Sequence, residues 1–228
     1  MLRPKKKITK KELKHDPVVS TYQNALALYY ENQKYIRYAV TALVVLIIAG
    51  VIYVNNRRAS NEKAAEELAK VVPLFDGGQY QQAIDGVPEN GVMGLRAIVD
   101  NYGGESAELA QLYLADCYYS LKNYDEALKN FKDFSGDDNI LESSALAGAA
   151  ACYEAKGDHA SAARFYEDAV DKAPQSPSAS EYMSFAAYNF GLAGNTERAV
   201  NLYKRLKKEY ANSSYAREAD RYIAQFSL

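Results

Sequence analysis

The chain has 228 residues, 48% of them hydrophobic and 25% charged, with a formal net charge of −2. With only 13 Gly and 6 Pro, this composition excludes collagen-like and low-complexity chains and is enough for one sizeable folded domain. The near-neutral total hides an uneven layout. Residues 1–37 hold nine Lys/Arg and three acids, leaving 18 of the 27 basic and 26 of the 29 acidic residues to the remainder, a net of −8 there. An acidic body of that kind argues against nucleic acid as its partner.

Residues 1–17 form a basic tail (RPKKKITKKELKH at its centre). It can contact anionic lipid or act as a solvated tail that sets topology. Residues 18–34 predict an amphipathic helix with Val18, Tyr22, Ala25, Leu26 and Tyr29 on one side. Such a helix lies in the membrane interface or continues into the next segment. That segment, 35–56, is read as a transmembrane signal anchor. Its centre, Tyr38 to Val54, is uncharged and holds ten Leu, Ile or Val residues, which together favour insertion by about 3 to 6 kcal/mol. Tyr35, Tyr38 and Tyr53 sit near its ends, as interfacial aromatics do. A soluble core helix of this length would carry a polar face, and no small-x-small cleavage site follows the run. The basic head is then expected in the cytoplasm and the body, 57–228, on the far side. Val54 to Val72 contains no Gly or Pro, so the span is expected to run into the first body helix and to break near Pro73. That arrangement would hold the body at a set height over the membrane.

The body repeats at about 35 residues. A small residue (Ala115, Ala150, Ala187) is followed three positions later by an aromatic (Tyr118, Tyr153, Phe190), then by a turn position (Lys122, Gly157, Gly194). Five residues on comes an alanine (Ala127, Ala162, Ala199), and four after that an aromatic (Phe131, Tyr166, Tyr203). This spacing resembles the tetratricopeptide repeat, a helix-turn-helix of about 34 residues. The expected fold is all-α: one transmembrane helix, then a tetratricopeptide-repeat α-solenoid with a C-terminal capping helix. Units are placed at about 64–97, 107–141, 142–175 and 178–211, with the cap at 213–227. The first unit, around FDGGQYQQAIDGV, fits only in part and its second helix looks truncated. Lys122 stands where the turn glycine is usual. Asn139 with Glu142, and Ser178 with Glu181, have capping-box spacing.

Cys117 and Cys152 occupy equivalent positions of adjacent units. Packed helices lie about 8–10 Å apart and a disulfide needs Cα atoms within about 7 Å, so the register argues against a bond between them. Catalysis finds little support. The body has one histidine, His159, and Gly77–Gly78 and Gly103–Gly104 lack a phosphate-loop context. No catalytic, cofactor or metal residue is assigned.

In the resembled family the first helix of each unit lines the concave face. Carried over residue by residue, those positions give a partner groove of Leu109, Leu112, Asp116, Tyr119, Ser120, Glu154, Glu181, Tyr188 and Leu192, joined by Ser144, Ala147, Ala151, Ala155 and Ser184. The groove holds tyrosines, acids and small residues and lacks a Lys/Arg clamp, which favours an apolar or basic peptide or a partner's helix. The alternative is a convex binding face.

The whole layout resembles the ancillary subunits of the bacterial SecYEG translocon (YfgM type). The features shared are the tail, Tyr29-Tyr30-Glu31-Asn32-Gln33-Lys34 before the span, the single span, and VDNYGGESAELAQLYLA at the entry to the repeats. The resemblance implies a non-enzymatic single-pass protein of the bacterial inner membrane with a cytoplasmic N-terminus and a periplasmic body. Its implied partners are a SecYEG-like translocon, a membrane-anchored periplasmic chaperone, or an unfolded client. The competing expectation is a periplasmic scaffold for envelope or outer-membrane assembly.

Overall fold

The computed structural model describes residues 17–227, so the basic tail, apart from Pro17, and Leu228 lie outside the described residues. The chain divides into two compact units, Met1–Asn56 and Arg57–Leu228.

Among its described residues the first unit is helical. Helix α1 covers Pro17–Glu31, and helix α2, Gln33–Asp76, begins here and ends in the second unit. From Val40 to Val54 the large apolar side chains of α2 are all exposed. It is the one described helix long and apolar enough to cross a membrane.

The second unit is built from the last part of α2 and from nine further described helices. They are α3 Tyr80–Asp85, α4 Leu95–Asn101, α5 Glu105–Ser120, α6 Tyr124–Lys132, α7 Asn139–Ala155, α8 His159–Lys172, α9 Ala179–Leu192, α10 Thr196–Glu209 and α11 Ser214–Phe226. A two-residue antiparallel pair, β1 Gly86–Val87 with β2 Val92–Met93, sits between α3 and α4. Helices α5–α6, α7–α8 and α9–α10 form three consecutive hairpins, and α11 packs on α9 and α10.

The repeat positions make the core. Ala115, Ala150 and Ala187 on the first helices are fully buried, as are Ala127, Ala162 and Ala199 on the second. Phe131, Tyr166 and Tyr203 are buried beside them. Small side chains let the helices approach, and aromatics fill the space between hairpins. At the start of the stack Ala64, Leu68 and Val71 of α2 form a buried stripe against Ala83, Ile84, Leu95, Ile98, Ala110 and Leu114. At its end Tyr203 stacks on Tyr222 of α11, ring centroids 5.1 Å apart and planes 4° apart, which closes the core.

Three local expectations differ from the structure. Helix α2 does not break at Pro73 but ends at Asp76. The stop comes from Gly77–Gly78, where the Gln79 amide donates to the Leu74 carbonyl; Pro73 lies in the final turn and takes one N–H out of the helix ladder just before that stop. The cap of α7 is Asp138, not Asn139: its Oδ1 accepts from the Ile140 and Leu141 amides at 2.7 and 3.0 Å. Displaced by one position, Glu142 pairs with Lys172 of α8 instead. Ser178 makes no side-chain cap bond because its backbone is already helical, φ −87° and ψ −6°. The truncated second helix expected near residue 83 is a six-residue helix, α3, followed by the β1–β2 pair and α4.

The hairpin turns share one hydrogen-bond pattern. The amides of Asn123, Asp158 and Asn195 donate to the carbonyls of Tyr118, Tyr153 and Phe190 at 2.9, 2.9 and 2.8 Å. Each such turn puts its preceding residue in the left-handed region: Gly157 at φ +78°, Gly194 at +83°, and Lys122 at +62°. The first turn thus imposes on a lysine the conformation the other two give to glycine. Lys122→Gly is expected to stabilise the protein by about 1 kcal/mol, since a left-handed non-glycine residue costs about 1–2 kcal/mol against glycine's greater chain entropy. Thermal unfolding followed by circular dichroism checks this; a lowered Tm would contradict the turn assignment.

Candidate functional site

The first helices of the three hairpins, α5, α7 and α9, line a common groove of about 360 Å³. Its walls are Leu112 and Asp116 of α5, Ser144, Ala147, Gly148 and Ala151 of α7, and Glu181, Tyr182 and Phe185 of α9. Phe131 of α6 and Tyr166 of α8 reach through from the second helices to form its floor. Among the lining residues the charges are two carboxylates and no cation.

Small residues on α7 open this space. A Cβ at Gly148 would lie 2.4 Å from the buried Phe131 ring, so only glycine admits the ring at that crossing. Tyr166 meets Phe185 edge-on at 5.4 Å, with Tyr182 at 6.4 Å. The Tyr166 hydroxyl donates to Glu154 Oε2 at 3.3 Å, and the same oxygen accepts from Asn189 Nδ2 at 3.1 Å. Asn189 is fully buried; its Oδ1 lies 2.8 Å from His159 Nδ1 and its amide also donates to the Phe185 carbonyl. This network crosses α7, α8 and α9 and fixes the floor beneath the groove.

Asp116 is different. The residue is exposed where it lines the groove, yet desolvation by the protein around its carboxyl pushes that group up to about 6. It makes no hydrogen bond or ion pair with any described residue. Glu181 uses Oε1 to accept from the Tyr215 hydroxyl of α11 at 2.6 Å, a bond that pushes the tyrosine up to about 12. Cys117 and Cys152 are buried and unbonded, each thiol pushed up to about 12 chiefly by burial and further by the Asp116 charge. Both are protonated and shielded at neutral pH.

Of the residues expected from sequence, Leu112, Asp116 and Glu181 line the groove, with Ser144, Ala147 and Ala151. Leu109 packs against the core at the start of the stack. Tyr119 stands half-open with its ring against Tyr124, 5.5 Å away, and Ser120 is exposed beside it. Glu154 belongs to the network beneath the floor. Tyr188 faces Tyr222 and Phe226 of the closing helix, and Leu192 is exposed at the end of α9. The sequence reading omitted Phe131, Tyr166, Gly148, Tyr182 and Phe185. The first two carry the repeat's aromatic signal, and that signal marks core positions as readily as floor positions.

Three segments, 109–135, 145–176 and 186–213, match the tetratricopeptide repeat family model. Among solved structures, the nearly identical TPR-like repeats of a Podosopora anserina protein assigned as a kinesin light chain superpose with a TM-score of 0.55 at 15% identity, covering 73% of this chain and 86% of that one. A single-substitution variant of that protein gives 0.56 at 15% identity, covering 73% and 85%. No curated protein sequence matches the chain. The fold is therefore all-α, and residues 109–213 carry three segments that match the tetratricopeptide repeat, a unit that in general supports protein–protein interaction.

The Asp116 carboxyl titrates near 6 in the folded protein and near 3.9 in an unfolded chain. Between those values the folded state binds the extra proton, so this group makes the protein more stable as pH falls through about 6 toward 4. Asp116→Asn is expected to raise Tm at pH 7.5, with a gain that shrinks to nothing by about pH 4. A variant no more stable than the parent at pH 7.5 would contradict the desolvated setting of this carboxylate.

Proposed function

We propose that the protein is a membrane-tethered binding module whose groove between α5, α7 and α9 receives a segment of a partner polypeptide. One observation carries this reading: three consecutive hairpins contribute their first helices to a single cavity with an aromatic floor and an unneutralised carboxylate. Concave, mostly apolar sites with a few convergent polar groups are where ligands bind. No chemistry is needed for this role. The exposed apolar surface from Val40 to Val54 supports a membrane span, and the charge bias of residues 1–37 supports a cytoplasmic N-terminus.

In its finer form the reading places the protein in a bacterial inner membrane as an accessory subunit of the Sec translocon. There its periplasmic repeats would link the channel to a membrane-anchored chaperone or an emerging client. The support for that is the resemblance of the layout to the YfgM-type ancillary subunits.

Photo-crosslinkers test both levels. Placed in the native host at Ala151, in the groove, and at Arg164, exposed on α8, they are expected to give discrete adducts from the first position and none from the second. A third probe at Ala49, in the apolar run, is expected to capture translocon subunits. Adducts from Arg164 with none from Ala151 would overturn the groove reading. Envelope-assembly partners at Ala151 with no translocon adduct at Ala49 would overturn the finer one and favour a scaffold.

A further inference from the structure

We propose that the groove selects a lysine or arginine set in an apolar stretch of the partner, its cation attracted by the lining carboxylates Asp116 and Glu181 and its methylene stem laid over the aromatic floor. The inference rests on the groove reading above and adds the chemistry of the occupant.

The first support is the charge of the groove lining, two carboxylates and no cation. Elsewhere on the stack some acids are tied to cations, as Glu142 is to Lys172 and Glu167 to Arg198, and others stand on open surface. The two carboxylates that line the groove have no such cation: neither Asp116 nor Glu181 takes part in an ion pair among the described residues. Glu181 engages Tyr215 through Oε1, and among the described residues nothing bonds its Oε2 or the Asp116 carboxylate. A carboxylate crowded by protein and left unpaired carries a desolvation cost that an incoming cation offsets.

The second support is the floor. Phe131, Tyr166, Tyr182 and Phe185 present rings to the same cavity. Ring faces attract a lysine ammonium or arginine guanidinium, and the aliphatic stem below it packs on apolar surface. Glu154 is not among the groove's lining residues; its Oε2 accepts from Tyr166 and Asn189 beneath the floor. The rings and the two acids together select against a neutral apolar segment, which would leave both carboxylates unpaired. They also select against an acidic one, which would add like charge.

The test uses the full chain in neutral-detergent micelles and three fluorescein-labelled peptides, with empty micelles as the blank. The peptides share a leucine–alanine background and differ at one central residue: arginine, glutamine or glutamate. Fluorescence anisotropy is expected to show the arginine peptide binding about tenfold more tightly than the glutamine peptide, and the glutamate peptide weakest. Asp116→Asn and Glu181→Gln should each remove most of the arginine peptide's advantage over the glutamine peptide. The Asp116→Asn loss must appear in a variant at least as stable as the parent at pH 7.5, which separates it from unfolding. Equal affinity for all three peptides, abolished by Ala151→Trp, would overturn the cation assignment and leave the groove reading standing. Failure of every peptide to bind would count against both.

Discussion

Close approach of helices at small side chains is the constraint on which the rest of this structure depends. Alanines recur where first and second helices of each hairpin cross, and all six are fully buried. At one crossing alanine is already too large: the Phe131 ring fills the space a Cβ of Gly148 would take. This closeness lets an aromatic from a second helix pass between first helices and reach the groove. Larger residues there would push the hairpins apart, and Phe131 and Tyr166 would lose their place in the floor. Packing and binding surface are therefore one arrangement seen from two sides.

The same crowding sets the electrostatics. Asp116 stands beside two buried cysteines and raises both thiols while burial raises its own carboxyl. Asp116 lines the cavity, and no described side chain pairs with its carboxylate. A group that weakens the free protein and faces a cavity is the kind of local conflict that marks a working site. Glu154 shows the contrast. It lies one helical turn beyond Ala151 on α7, yet it does not line the groove: its Oε2 accepts from Tyr166 and Asn189, which ties it to the floor.

Much of this was legible in the sequence. The small–aromatic–turn–alanine–aromatic pattern located three hairpins and their buried positions, because helix packing demands particular residue sizes at fixed spacing. The turn at Lys122 was legible as a departure, and the structure gives it the left-handed backbone of its glycine counterparts. Half-right were the caps: Asp138 replaced Asn139, since either can accept from a helix amide and only geometry chooses between them. The cap of α5 was out of reach. The Ser106 amide donates to Asn61 Oδ1, from a helix 45 residues earlier, and no local pattern records such a contact. For the groove, inner-helix positions such as Asp116 and Glu181 followed from the repeat register. Tyr188 was also in register, but the closing helix lies against it. The floor residues were hidden for the opposite reason: an aromatic that packs hairpins together and one that also faces a groove carry the same sequence signal.

The central claim is that this groove, and no other face of the repeats, receives a cation-bearing apolar segment. Its most direct test is methyl NMR of the alanine-labelled full chain titrated with the arginine peptide. Ala147 and Ala151 line the groove, whereas Ala160 is exposed at the start of α8 and Ala224 on α11. The account predicts that the Ala147 and Ala151 methyls shift together and saturably while Ala160 and Ala224 stay in place. Shifts confined to Ala160 or Ala224, with the groove methyls unmoved, would contradict it.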